Sequence, residues 1–131
     1  MGIRGLTILF AVLLTSASSA QEGGDAVAGE AVFKKCMTCH AVGEGARNKV
    51  GPVLNGVVGR PAGTFPEFRY SEAMVAAGAG GLVWTPENLA SYLLAPKEFV
   101  PGNKMAFAGL KEQADIDNVI AYLATLPAPP Q

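Results

Sequence analysis

The chain has 131 residues, half of them apolar and 16% charged. That length suits one domain, and the apolar fraction excludes a disordered chain. A formal net charge of −1 excludes a strongly basic nucleic-acid binder, two Cys exclude a disulfide scaffold, and a single His excludes any site built on two imidazoles.

The N-terminus reads as an export signal. Arg4 stands in a short positive segment, residues 6–14 are apolar apart from Thr7, and residues 15–20 are small and end in Ser18-Ser19-Ala20. Nine residues of helix reach about 14 Å, half a bilayer, which argues against a membrane anchor. Cleavage after Ala20 is expected, leaving residues 21–131 as the mature domain and placing it in the periplasm.

Helices joined by long turns follow. Asp25 is placed to cap a first helix over residues 26–36, with Gly29, Val32, Phe33 and Cys36 on one face. Residues 43–66 are dense in Gly, Pro and Asn and read as ordered loop, and so long a loop in a small domain usually wraps something. Ser71 is placed to cap a short helix over residues 71–77. Thr85-Pro86-Glu87 is a stronger start signal, with Pro96 as the stop. Residues 101–109 read as loop. Ile116, Val119, Ile120 and Leu123 then mark an amphipathic helix that Pro127 ends, leaving residues 127–131 as a tail. The expected class is all-α with four or five helices. Their side chains are too few to close a core alone, which makes a large internal ligand plausible.

The chemistry sits at Cys36-Met37-Thr38-Cys39-His40, the C-x-x-C-H pattern of c-type haem attachment. Two thiols three residues apart at a helix end can each bond one vinyl group of a single porphyrin, and the next residue then lies beneath the iron. A redox dithiol would want a βαβ context, and zinc would want four ligands where the chain has three Cys and His in all. With His40 used, the sixth ligand is Met, Lys, water or an exogenous molecule. Met37 lies inside the attachment loop and cannot cross the ring. Met74 and Met105 remain. Spacing favours Met105, because its Pro- and Gly-containing loop can aim a thioether across a cavity, whereas Met74 lies in a helix where Met is most often core filler.

The attachment motif, Gly51-Pro52, Gly56, Gly59-Arg60, Tyr70, Trp84, Tyr92-Leu93, Pro96, Pro101-Gly102-Asn103-Lys104-Met105-Ala106-Phe107-Ala108-Gly109 and Ala121-Tyr122-Leu123 follow one another in a revealing order. In that order they resemble the class I c-type cytochromes, the mitochondrial-type cytochrome c and cytochrome c2 family, over residues of about 24–126. The resemblance implies the cytochrome c fold, four to five helices around one covalent haem c with first and last helices crossing. It implies thioethers at Cys36 and Cys39 and iron ligands at His40 and Met105. It implies that the Pro52 carbonyl accepts from the His40 ring, that Gly51 lets the backbone approach it, and that Tyr92 reaches toward the Met105 sulfur. Arg60, Tyr70, Trp84 and Asn103 would serve the haem propionates, and Gly29 and Phe33 would pack against Val119, Ile120 and Tyr122. Two departures from the mitochondrial pattern are Met74, where a small polar residue is usual, and a longer segment over residues 77–82, expected as a surface excursion.

The resemblance also implies a monomeric one-electron carrier, not an enzyme, moving electrons from a bc-type quinol-oxidising complex to a terminal oxidase or photosynthetic reaction centre. Lys35, Lys49, Lys97 and Lys104, with Arg47, would ring the exposed haem edge and orient it toward acidic partners. The alternative is a haem peroxidase or ligand-binding sensor that works through an opened sixth site.

Overall fold

The computed structural model describes residue 2 and residues 23–129, so the expected signal segment lies outside the described residues apart from Gly2. Five helices follow in order: α1 (Ala26–Phe33), α2 (Glu72–Ala79), α3 (Pro86–Leu94), α4 (Pro96–Phe99) and α5 (Gln113–Ala124). Among the described residues the only extended pairing is one isolated bridge between Pro61 and Val83.

Three helix starts are set by local caps. Asp25 accepts from the amides of Val27 at 2.8 Å and Ala28 at 3.3 Å, Ser71 from that of Met74 at 3.1 Å, and Thr85 from that of Asn88 at 3.1 Å. Each bond satisfies an amide that the first helical turn leaves unpaired. The ends follow different physics. α1 stops at Phe33, three residues before the expected Cys36, because the chain tightens into i→i−3 bonds, the Cys36 amide donating to the Phe33 carbonyl at 2.8 Å. α3 stops where Ala95, forced extended by the following proline, takes φ −151° and ψ 77°. Pro96 then serves as the first residue of α4, so it starts a helix as well as ending one.

The core centres on α1 against α5. Phe33, Ile116, Val119, Ile120 and Leu123 are buried together with Trp84, Leu89, Tyr92, Val100 and Leu110. The Phe33 and Tyr122 rings lie 5.4 Å apart at 51°. Gly29 makes the close approach possible: a Cβ there would run into the Asn118 carbonyl and come within 2.8 Å of the Tyr122 Cβ. The Asn118 side chain reaches back to accept from the Asp25 amide at 2.8 Å, so α5 helps form the cap of α1.

Two expected surface segments are tied down. Gly78, in the segment expected as an excursion, lies against the Ala62 carbonyl, while Gly80 and Gly81 are exposed. The expected tail folds back: the Leu126 carbonyl accepts from the Gly56 amide at 3.0 Å, and a Cβ at Gly56 would lie 2.6 Å from the Ala128 Cα.

The helix crossing yields a stability prediction. Gly29→Ala should lower the unfolding free energy of the holoprotein by about 3 kcal/mol in a urea titration, because backbone rather than a flexible side chain must yield. Val27→Ala, at a position 80% exposed on the same helix, should change it by less than about 0.5 kcal/mol.

Candidate functional site

The attachment motif rides the tight turns that follow α1. The Cys36 carbonyl accepts from the Cys39 amide at 3.1 Å and the His40 amide at 2.9 Å, which winds both thiols and the imidazole onto one turn. Both cysteines are free and half-buried. Burial pushes the Cys36 thiol above its ordinary range, with Lys35 opposing.

His40 is held through one ring nitrogen. Its Nδ1 lies 2.7 Å from the Pro52 carbonyl oxygen. A carbonyl only accepts, so Nδ1 carries the proton and Nε2 of the neutral ring keeps its lone pair. Burial keeps the ring neutral by lowering its pKa, a shift the Pro52 bond opposes and Lys49 reinforces. The adjoining Gly51 donates to the Cys39 carbonyl at 2.8 Å, and any Cβ at Gly51 would collide with the His40 ring. Asparagines brace this loop. Asn55 donates to the Gly43 carbonyl and accepts from its amide, each at 2.8 Å, and Asn48 accepts from the Val53 amide at 2.9 Å. Neither was singled out from sequence, where Asn in a loop signals only a turn.

Met105 is aimed by the loop after α4. The Asn103 side chain donates to the carbonyls of Pro96 and Val100 at 2.9 Å each and accepts from the Met105 amide at 2.9 Å. Both its N–H groups are therefore spent. These bonds brace the Met105 loop, a part that the expected propionate role at Asn103 did not include. Gly102, at φ 87°, makes the preceding reversal. The Tyr92 hydroxyl lies 3.8 Å from the Met105 sulfur and donates to it. Tyr92 itself is wedged against Trp84, ring centroids 4.8 Å apart, and Phe99. Met74 is buried in the same core cluster.

Arg60, Tyr70 and Trp84 line a second side. Arg60 donates to the Asn55 carbonyl at 3.0 Å and the Val53 carbonyl at 3.4 Å, with its guanidinium 5.0 Å from the centroid of the Phe65 ring. Burial lowers its pKa, so it is not a freely solvated charge, yet three of its five N–H groups remain. The Tyr70 hydroxyl accepts from the Phe65 amide at 3.1 Å and keeps its own proton to donate. Trp84 is buried, its ring packed on Tyr92 and Phe99. An open cleft of about 480 Å³ beside Tyr70 is lined by Arg69, Ser71, Glu72 and Lys104, which adds two cations on that side.

The expected lysine ring is uneven. Lys35 pairs with Asp115 of α5 at 3.9 Å, and Lys49 donates to the Met37 carbonyl at 2.8 Å. Lys97 and Lys104 are exposed, with no ion pair among the described residues.

Burial pushes the Tyr92 phenol up to about 12. It therefore stays protonated, and a donor to sulfur, at any physiological pH. Below the ordinary tyrosine pKa of about 10 both folded and unfolded chains hold the proton, and stability is indifferent to it. Between about 10 and 12 the unfolded phenol ionises first, so stability should fall through that window. Urea midpoints measured from pH 9 to 12 should show this fall, and Tyr92→Phe should make it shallower, with Tyr70 and Tyr122, also pushed up by burial, supplying the remainder.

Free thiols on one turn, an imidazole with its outer nitrogen tied and a thioether held by its own loop are a donor set that fits one haem c. Comparison with known proteins agrees. The cytochrome c family model matches residues 26–127. The chain is 59% identical to a cytochrome c2 of Agrobacterium tumefaciens over 100 residues, 76% of this chain and 90% of that one. It is 54% identical to a cytochrome c2 of Afifella marina, over 80% of this chain and 85% of the relative. The solved structure of cytochrome c2 from Rhodospirillum centenum superposes with a TM-score of 0.77 at 44% identity, covering 80% of this chain and all of that one. Sequence, fold and site therefore converge: the chain belongs to the cytochrome c family, an electron carrier rather than an enzyme, with one haem c bound through Cys36 and Cys39.

Proposed function

We propose that this protein is a periplasmic one-electron carrier, accepting electrons from a bc-type quinol-oxidising complex and delivering them to a terminal oxidase or photosynthetic reaction centre. The observation that carries the reading is the pairing of a tied imidazole at His40–Pro52 with a tied thioether at Met105–Tyr92. The bound haem supplies an iron that cycles between ferrous and ferric. His40 and Met105 would hold that iron through the free imidazole nitrogen and the thioether sulfur. The Pro52 carbonyl orients the imidazole and raises its basicity. Arg60, Tyr70 and Trp84 donate to the propionates, whose burial would otherwise be costly. Ligation by an imidazole and a thioether would favour a high potential and would leave no open position for substrate.

The sensor or peroxidase alternative requires Met105 to leave the iron. Three hydrogen bonds from Asn103 and one from Tyr92 oppose that motion. Residues 1–20 have the pattern of a cleaved export signal, with residues 21–131 as the mature domain, and none of the described helices is long and apolar enough to cross a membrane. The direct test is reduction of purified holoprotein by a bc-type complex with quinol, followed by its oxidation by oxidase or reaction-centre membranes. Failure of both half-reactions would overturn the reading.

Met105→Ala should leave the haem covalently attached, open the sixth position to carbon monoxide and lower the potential, as read by spectra and redox titration. If Met74→Ala rather than Met105→Ala opens that position, the ligand assignment is wrong. Charge on the docking face should act through association rate. Lys97→Glu and Lys104→Glu should each slow the reaction with a membrane partner several-fold at low salt and hardly at about 1 M, where the Debye length is about 3 Å. Lys111→Glu should do less.

A further inference from the structure

The turn that carries Pro52 is held at both ends. At its start it is bonded to the attachment segment. The Gly51 amide donates to the Cys39 carbonyl at 2.8 Å, the His40 ring to the Pro52 carbonyl at 2.7 Å and the Leu54 amide to the Ala41 carbonyl at 3.2 Å. The Val57 amide closes the turn on the Leu54 carbonyl at 3.1 Å, and Gly56, at φ 68°, makes the reversal. At its end the turn meets the chain that follows α5. The Gly56 amide donates to the Leu126 carbonyl at 3.0 Å, and the N, Cα and Cβ of Ala128 would all lie within 2.9 Å of a Cβ at Gly56.

The segment that meets Gly56 is stiff for a chain end. α5 finishes in i→i−3 bonds, the Thr125 amide donating to the Tyr122 carbonyl at 3.0 Å and the Leu126 amide to the Leu123 carbonyl at 3.1 Å. The Thr125 hydroxyl donates to the same Tyr122 carbonyl at 2.6 Å. Pro127 and Pro129 flank Ala128. Each proline fixes its own φ and restricts the residue before it, so little entropy is lost when the segment settles. Residues 127–129 are exposed, whereas Leu126 packs against the core. Residues 127–129 therefore bury little surface of their own, and what they cover is the Gly56 turn. The path closes on itself: from His40 through Pro52, Gly56 and Leu126 to α5, then across the Tyr122–Phe33 contact to α1, which leads back into the attachment turn.

We propose that Leu126, Pro127 and Ala128 are positioning residues for His40: they hold Gly56, Gly56 fixes the turn, and the turn keeps the Pro52 carbonyl on the imidazole. The inference rests on the reading of His40 as an iron ligand and is independent of which redox partners the carrier serves. The segment acts through its backbone, because the Leu126 carbonyl makes the bond and the Ala128 main chain fills the space. Its effect on electron transfer is indirect. A firmly held Pro52 carbonyl keeps the imidazole a strong donor. A loosened one weakens it, which favours the ferrous state and raises the potential.

The test uses holoprotein that ends at Pro127, which removes Ala128 and keeps the Leu126 peptide carbonyl. In the ferrous state, solvent exchange of the His40 Nδ1 proton, followed by NMR, should quicken about tenfold, because the turn opens more often. The potential should rise. Exchange of the Ile120 and Leu123 amides in α5 should stay as in the wild type, which separates loss of positioning from general loosening. Ala128→Ser in the full chain should leave every readout unchanged. Gly56→Ala should quicken the His40 exchange in the full chain and add much less in the shortened one, since the strain at positive φ is common to both and only the full chain has the collision with Ala128. Unchanged His40 exchange and potential in the shortened protein overturn the inference, as does an equal quickening of the α5 amides. Additive effects of Gly56→Ala and the truncation overturn it too. Wild-type ferric holoprotein whose His40 ring protons carry no paramagnetic shift would instead overturn the ligand reading, and the inference falls with it.

Discussion

The bond between His40 Nδ1 and the Pro52 carbonyl is the constraint on which the rest of the site depends. It fixes the tautomer, and so leaves Nε2 as the nitrogen whose lone pair is free to bind a metal. It also requires the chain twelve residues downstream to return under the attachment turn. That return needs Gly51, since the ring occupies the space where a Cβ would be. It needs the loop to hold its shape without secondary structure, and Asn48, Asn55 and Arg60 provide this by bonding backbone groups that no helix or strand satisfies.

The opposite wall is built on the same plan from different parts. α3 presents Tyr92 on its buried face, and the break at Ala95 turns the chain so that α4 leads into the Met105 loop. Asn103 closes that loop on the last turn of α4. Two short irregular segments thus each hold one donor, His40 and Met105, and both are pinned by side-chain amides. Helices of 4 to 12 residues contribute little stability alone. They persist because α1 and α5 bury their faces on each other.

The surface divides along similar lines. Ion pairing draws Lys35 toward α5, where Asp115 sits in the first helical turn and complements its dipole. At the surface such a pair adds little stability. Its effect is on the field the protein presents, because Lys35 is partly neutralised while Lys97 and Lys104 keep no ion pair among the described residues. A carrier must bind and release quickly, and a surface with few free charges suits that demand.

What the sequence by itself determined was set by short separations. The attachment chemistry was legible because five consecutive residues carry it. The starts of α1, α2 and α3 were legible because Asp25, Ser71 and Thr85 cap amides two or three residues ahead. The face of α5 was legible from its own period. Loop spacing favoured Met105 over Met74 as the expected ligand, and resemblance over the whole domain strengthened that choice. The tertiary structure alone decided what depends on distant partners. It ended α1 at Phe33, folded Ala128 over Gly56, and paired Lys35 with Asp115. It also turned Asn103 inward, because the carbonyls that claim its amide become neighbours only after α4 has formed and the Met105 loop has closed on it. A polar side chain answers to whichever group folding brings within hydrogen-bond reach, and one sequence read along its length does not contain that distance.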